Sequence, residues 1–432
     1  MKIALSPVTA VCCDTHFQVI NNAAIHIENG RISYVGPLET APEFGADETL
    51  GGPHLVAMPG LVNTHTHAAM TLCRGYADDM ALEPWLSEKI WPFERNLTAQ
   101  HVYQGTLLAI AEMLRGGTTT FCDMYFHERE GTRAAIESGI RMCPGAVLLG
   151  FLPGADQKIL DARDFVVEMR GAGEGRITPL LAPHSLYTCD APQWAKIIAV
   201  ARETGAFIST HASETAREVA DVTRDWGQSP IQTLHQIGAL QAPLLAAHCV
   251  HTDEIDREIM ASSPFFVAHN PQSNLKLASG IAPIADYLRR GITVGLAPDG
   301  TASNNNLDMW EEMRLAATLH KANTGDPTAI SARQALEMAT LQGAKCLGLE
   351  TQIGSLEVGK KADICIVDFD QPHLTPRHSV VSNLVYAAGA SDVHSLLIDG
   401  RWMMKNRELQ SLDITQVCSE ARKIAEELAR LA

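Results

Sequence analysis

His65 and His67 stand two residues apart, directly after the apolar, β-prone run Leu61-Val62-Asn63. On an extended strand that spacing points both imidazoles to the same face. Two converging neutral imidazoles are the start of a transition-metal site, most often zinc. Two histidines in a polar loop would spell the same letters, so the rest of the chain has to decide. It does so by repetition. The run Ala206-Phe207-Ile208-Ser209-Thr210 ends in His211, with Glu214 three residues later. Leu244-Leu245-Ala246-Ala247 ends in His248, and the run from Ile292 to Pro298 ends in Asp299. Each strand-like segment delivers a ligand-type or acid/base side chain at its C-terminal end. That is where the parallel strands of a (β/α)8 barrel open onto one face.

The elements that must position these residues follow the same plan. From Pro59-Gly60 onward, strand-like runs alternate with helical ones. Thr98 caps a helix whose buried face is Val102, Leu107, Leu108, Ile110, Ala111 and Leu114, and Gly116-Gly117 stops it before a strand at Thr118 to Cys122. Further helices are expected at Ala191–Thr204, Pro230–Ile237, Pro283–Arg290 and Ala332–Leu347. His251, His269 and His320 receive no role, and His269 reads as part of a turn. The two chain ends look different. Asn29-Gly30 between alternating runs signals a hairpin. A strand at Ala362 to Asp368 and a second hairpin around Asp399-Gly400 precede a terminal amphipathic helix at 414–431. Neither end alone is large enough to bury a core, so they are expected to join. The expected fold is α/β: a (β/α)8 TIM-type barrel over 57–348, with a small β-sandwich domain built from 1–56 and 349–432.

Composition narrows the partners. A net charge of −16 over 432 residues argues against nucleic acid and against an anionic membrane surface. No apolar run reaches membrane-spanning length. With 46% hydrophobic and 19% charged residues the chain is an ordinary globular one. Ten cysteines without C-x-x-C spacing, among them Cys122, Cys143 and Cys365 in apolar surroundings, suit buried thiols and a reducing cytoplasm. The N-terminus does not read as a secretory signal. A small-molecule substrate remains, with the assembly left open between a monomer and a homo-oligomer.

With His65-x-His67, His211, His248 and Asp299 on strand ends inside a split β domain, the chain resembles the amidohydrolase superfamily. Within it, the likeness is to the 5′-methylthioadenosine/S-adenosylhomocysteine deaminases. It is carried by Glu83-Pro84-Trp85-Leu86, Ile90-Trp91-Pro92-Phe93-Glu94, Pro183-His184-Ser185, His211-Ala212-Ser213-Glu214, the run from His269 to Asn274, and the run from Asp299 to Asn305. The segment Val367 to Leu374 adds to it. The resemblance implies one divalent metal, usually zinc, on His65, His67, His211 and Asp299. A bridging lysine of binuclear relatives has no counterpart between Ile177 and His184.

Such a metal, with an open position, lowers the pKa of bound water towards neutrality. The resulting hydroxide can attack C6 of an adenine. Asp299 would take the water proton, and Glu214 would protonate a ring nitrogen and then the departing ammonia, shuttling worth about 10²–10⁴-fold in rate. By the same resemblance His248 contacts the hydroxide, His184 the substrate ring and Glu94 the two ribose hydroxyls. Trp85 and Ser303 are assigned to the substrate pocket.

Members that accept S-adenosylhomocysteine hold its amino-acid carboxylate with arginines beyond the third strand. Here that stretch, Pro144 to Phe151, is apolar, and Arg141 is the one arginine near enough to be considered. Methylthioadenosine is therefore the expected substrate, ahead of S-adenosylhomocysteine or adenosine. The alternatives are a guanine or pterin deaminase, or an s-triazine hydrolase, all with the same metal set, and a non-catalytic barrel. A cytidine-deaminase-type site is excluded by the missing P-C-x-x-C.

Overall fold

A computed structural model of the protein describes residues 1–431. Its first strands are β1 (Lys2–Val11), β2 (Val19–Glu28), β3 (Arg31–Pro37), β4 (Glu48–Leu50) and β5 (Leu55–Pro59). Residues Asn29 and Gly30 join β2 to β3 with positive φ at both, +53° and +78°, as a two-residue hairpin turn of the right twist requires. A Cβ on Gly30 would meet the carbonyl oxygen of Asp399 at 2.7 Å, so the two chain ends approach each other where only glycine fits.

The late strands β14 (Ile364–Asp368), β15 (Val393–Ile398), β16 (Arg401–Lys405) and β17 (Glu408–Leu409) complete the same sheet. Its nine strands run β17-β16-β15-β14-β5-β1-β2-β3, with β4 alongside β1. The join is β14 against β5, antiparallel from Ile364 opposite Pro59 to Asp368 opposite Leu55. Ile3, Leu5, Ile25, Ile27, Ile364 and Ile366 fill one core drawn from both ends.

Between them lie eight parallel strands: β6 (Leu61–Thr66), β7 (Thr118–Tyr125), β8 (Arg141–Leu148), β9 (Leu180–Pro183), β10 (Ile208–Ala212), β11 (Leu244–His248), β12 (Phe265–His269) and β13 (Thr293–Leu296). They neighbour one another in chain order, the arrangement of a (β/α)8 barrel. Last meets first through side chains. Thr64 Oγ1 donates to the Leu296 carbonyl at 2.9 Å, and Thr66 Oγ1 to that of Asp299 at 2.7 Å. Gly295 allows this approach, since a Cβ there would sit 2.4 Å from Thr64 Cγ2.

Three sequence expectations change. The expected helix Ala332–Leu347 is two, Ala332–Met338 and Leu341–Cys346, broken at Thr340. The Ala339 carbonyl leaves the helical ladder to accept from Val62 N–H of β6 at 2.9 Å, and Thr340 Oγ1 donates back to Leu336 O. His269 ends β12 rather than sitting in a turn, buried with its Nε2 3.2 Å from that of His320. Arg141, considered as a contact for a substrate carboxylate, begins β8 and so lies at the barrel end away from the strand C-termini. Its guanidinium donates to both oxygens of Asp363, at 2.9 and 3.1 Å, and to Asp399 at 2.9 Å. The cysteines are all free, and nine of the ten are buried. Among the described residues no helix is long and apolar enough to cross a membrane.

The Arg141 cluster ties barrel to sheet, with Arg141 and Asp363 fully buried and Asp399 partly so. Arg141→Met should lower unfolding free energy by about 3–5 kcal/mol, because it strands buried Asp363 without its cation, while Asp399 keeps Lys361 at 3.1 Å. Denaturant titration reads this, and kcat/KM of the protein that remains folded should be unchanged.

Candidate active site

The C-terminal ends of the barrel strands bring the sequence-predicted residues to one pocket. His67, His184, His211, Glu214, His248, Asp299, Glu94, Trp85 and Ser303 all line it, with His65 directly beneath. Ring centroids of His65 lie 4.9 Å from those of His67 and His211, and His184 stands 4.6 Å from His211. Asp299 Oδ1 is 3.5 Å from His65 Nε2 and 3.2 Å from His67 Nε2. Nitrogens of His65, His67 and His211 lie within 4.8 Å of one another, as do atoms of His65, His248 and Asp299.

The backbone is bent to achieve this. His248 and Asp299 have φ of +74° and +64°, left-handed values that cost a non-glycine residue about 1–3 kcal/mol and collect at functional sites. The outer nitrogens of two imidazoles are already engaged. His67 Nδ1 donates to Met124 O at 2.7 Å, and His211 Nδ1 to His184 O at 2.8 Å. A carbonyl only accepts, so both Nδ1 atoms carry hydrogen and both Nε2 atoms face inward. Buried His65 Nε2 and Asp299 Oδ1 have no hydrogen-bond partner among the described residues. Unsatisfied inward donor atoms of this kind fit a divalent metal, and histidine with carboxylate is a zinc-type set.

Electrostatics divides these groups. Burial holds His65 down to about 4 and His184 to about 3, and pushes His211 well below its ordinary value. For His67 burial is outweighed by the Asp299 carboxylate, which lifts it to about 9. Asp299 itself, despite burial, is held well below the carboxylate range by His65 and His67. Glu214 goes the other way, raised by burial against the opposing charge of His248, whose Nε2 is 3.8 Å from its carboxyl. Glu94 is pushed by burial up to about 7, while the Tyr125 hydroxyl donates to it at 2.8 Å.

Two expected pocket residues are turned partly to other duties. Ser303 Oγ donates to Asp299 Oδ2 at 2.9 Å, and Trp85 Nε1 to the Ala77 carbonyl at 3.1 Å. Sequence reasoning passed over several supporting residues. Ser273 Oγ donates to Asp299 Oδ2 at 2.6 Å, and Asn274 Oδ1 meets His248 Nδ1 at 2.8 Å. Both stand in the run His269 to Asn274, so the signal was in view without a role attached. Tyr125, which holds Glu94, ends β7 as the other site residues end their strands.

The sequence profile of the amidohydrolase family matches residues 56–403. This chain belongs to the amidohydrolase family. It is similar to a 5-methylthioadenosine/S-adenosylhomocysteine deaminase of Desulforamulus reducens, 45% identical over 95% of each chain. A solved adenosine deaminase from Xanthomonas campestris, with bound zinc, superposes with a TM-score of 0.96 at 36% identity, covering 99% of this chain and 98% of that one. An atrazine chlorohydrolase from Arthrobacter aurescens shares the fold, with a TM-score of 0.90 at 22% identity over 98% of this chain and 100% of its own. Amidohydrolases are metal-dependent, and the inward-facing histidines of this one suit that chemistry.

Outer partners of metal-facing groups are commonly worth about 10–100-fold in metal affinity or activity. Ser273→Ala removes one of two hydroxyls that hold Asp299 Oδ2 and should weaken metal affinity within that range. Competition against a chromophoric chelator measures it.

Proposed function

We propose that the protein is a hydrolytic deaminase of 6-aminopurine nucleosides. It would convert 5′-methylthioadenosine and water to 5′-methylthioinosine and ammonia. The observation that carries this reading is Glu94 lining the same pocket as the histidine cluster and Glu214. A carboxylate acceptor in that pocket suits ribose hydroxyls, which a free base or a triazine lacks. The names of the relatives similar to this chain agree with it.

One divalent cation, zinc by analogy with the Xanthomonas relative, held by His65, His67, His211 and Asp299, supplies the Lewis acidity that makes water nucleophilic near neutral pH. Asp299, kept ionised, is the base that accepts the water proton. Glu214, raised towards the protonated form, gives its proton to the purine ring nitrogen, then takes the proton of the new C6 hydroxyl and relays it to the leaving amine; the proton held by Asp299 then restores Glu214. His248 is oriented by Asn274 so that its Nε2 faces the attacking oxygen. His184, held neutral, pairs with the ring without adding charge. We assign this chemistry to residues 57–348, with 1–56 and 349–432 as a supporting domain.

The pocket continues past Trp91, Glu94, Phe126 and Leu149 into an outer cavity of about 920 Å³. Phe151 and Leu152 extend its apolar wall. Of its cations, Lys158 is taken by Glu128 and Arg129 by Glu168, each at 2.7 Å, while Arg95 lines the cavity with no carboxylate paired to it among the described residues. Arg141 is committed to Asp363 and Asp399 at the far end of the barrel. The apolar wall suits a methylthio tail, and Arg95 is the one lining cation left for the carboxylate of a charged amino-acid tail.

Purified protein assayed with methylthioadenosine, S-adenosylhomocysteine, adenosine and guanine should release ammonia from the nucleosides and not from guanine. kcat/KM should be highest for methylthioadenosine; preference for the homocysteine derivative would overturn the tail assignment.

Glu94 gives a pH signature. A carboxyl raised to about 7 loses its charge as pH falls through that value. KM for a nucleoside should therefore rise about tenfold between pH 8 and pH 6, as the ionised fraction drops. Glu94→Gln should raise KM at every pH and remove that acid-side increase.

A further inference from the structure

The turn that carries Glu214 is gripped from behind by a second carboxylate. Ser213 has a left-handed φ of +55°. Its N–H donates to Glu218 Oε1 at 3.0 Å, and the N–H of Glu214 donates to Glu218 Oε2 at 2.7 Å. From the other side the Ser213 carbonyl accepts from the N–H groups of Val250 and His251, both at 2.9 Å, just beyond β11. In an ordinary capping box, the acidic residue three after the cap takes the cap residue's own N–H. Glu218 stands at that position relative to Thr215 but reaches one and two residues further back. Thr215 Oγ1 does the capping by itself, accepting from Glu218 N at 3.1 Å.

The Glu214 carboxyl has little else to fix it. Ser279 Oγ donates at 3.3 Å, and His248 Nε2 lies at 3.8 Å. Where that carboxyl points is consequently set by its backbone, and the backbone by Glu218. We propose that Glu218 is a positioning residue for the deamination: by accepting two successive N–H groups it fixes the turn that aims Glu214 at the substrate ring. The inference rests on the reading of Glu214 as the proton carrier.

The Glu218→Gln side chain keeps the shape but has one acceptor oxygen for two donors. A misplacement near 1 Å at a reacting group can cost about 10²-fold, so kcat should fall about 10–100-fold with KM and metal content nearly unchanged. In a Glu214→Gln background the same substitution should add less than about twofold, because the group it positions is already gone. Glu218→Asp, charged but too short to reach both N–H groups, should show the same coupling and serves if the glutamine variant does not fold. Ser229→Ala, which uncaps the following helix at Gln232 without touching Glu218, should lower Tm and leave kcat in place.

Wild-type kcat in the Glu218 variants, losses that multiply fully with Glu214→Gln, or the same kcat loss from Ser229→Ala would each overturn the assignment. A wild-type enzyme that deaminates no aminopurine nucleoside overturns the reading of Glu214 and this inference together. Activity in the wild type with independent losses overturns this inference alone.

Discussion

Everything in this molecule answers to the difficulty of burying His65, His67, His184, His211 and His248 against one another. Their rings crowd to centroid distances between 4.6 and 6.0 Å. Protonated together they would repel across a medium with little screening. In the neutral form their lone pairs face one another across the pocket. Burial drives His65, His184 and His211 to the neutral form, while Asp299 keeps its charge. The result is a concentration of electron-pair donors with one fixed anion among them. Such a set is stable in proportion to how well something electrophilic sits in its midst.

A parallel barrel meets that demand because its strands converge without converging their sequences. His65, His211, His248 and Asp299 lie far apart in the chain, and only the shared direction of β6 to β13 delivers them to one face. The last few ångströms come from local distortion. Left-handed backbone at Ser213, His248 and Asp299 turns each chain inward as it leaves its strand. The surrounding carbonyls and hydroxyls then lock the side chains, Met124 O on His67 and His184 O on His211 being the firmest. The barrel supplies direction, and the strained exits supply aim.

This division explains what the amino-acid sequence reveals. Residue type at a strand end is a local property, so His65, His67, His211, His248 and Asp299 could be picked out from short runs alone. The Asn29-Gly30 turn and the Ala191–Thr204 helix, bounded by the Asp190 cap and Gly205, were legible for the same reason. What stayed hidden depends on the other end of a contact. Arg141 looked like a pocket candidate because only its strand was visible, and Asp363 and Asp399 lie more than two hundred residues away. The break at Thr340 answers to the demand of Val62 for a carbonyl partner, which no helical periodicity records. Ser273 and Asn274 sat inside a recognised run, yet their hydrogen bonds to Asp299 and His248 follow from tertiary geometry alone.

The two carboxyls of the pocket show how one enclosed space serves opposite proton tasks. Asp299 and Glu214 share burial, which alone would raise both. They part because of what stands beside each. Asp299 has two imidazoles at 3.2 and 3.5 Å, and their attraction overrides the desolvation. Glu214 has one imidazole, at 3.8 Å, which softens the rise without reversing it. A group kept ionised can accept a proton from water, and a neighbour biased towards its protonated form can deliver one to the ring. Pairs of titratable groups pushed in opposite directions are the usual mark of an acid and a base at work together. Here the direction of each push is set by the number and distance of histidines, so the roles of the two carboxyls cannot be exchanged by swapping the residues alone.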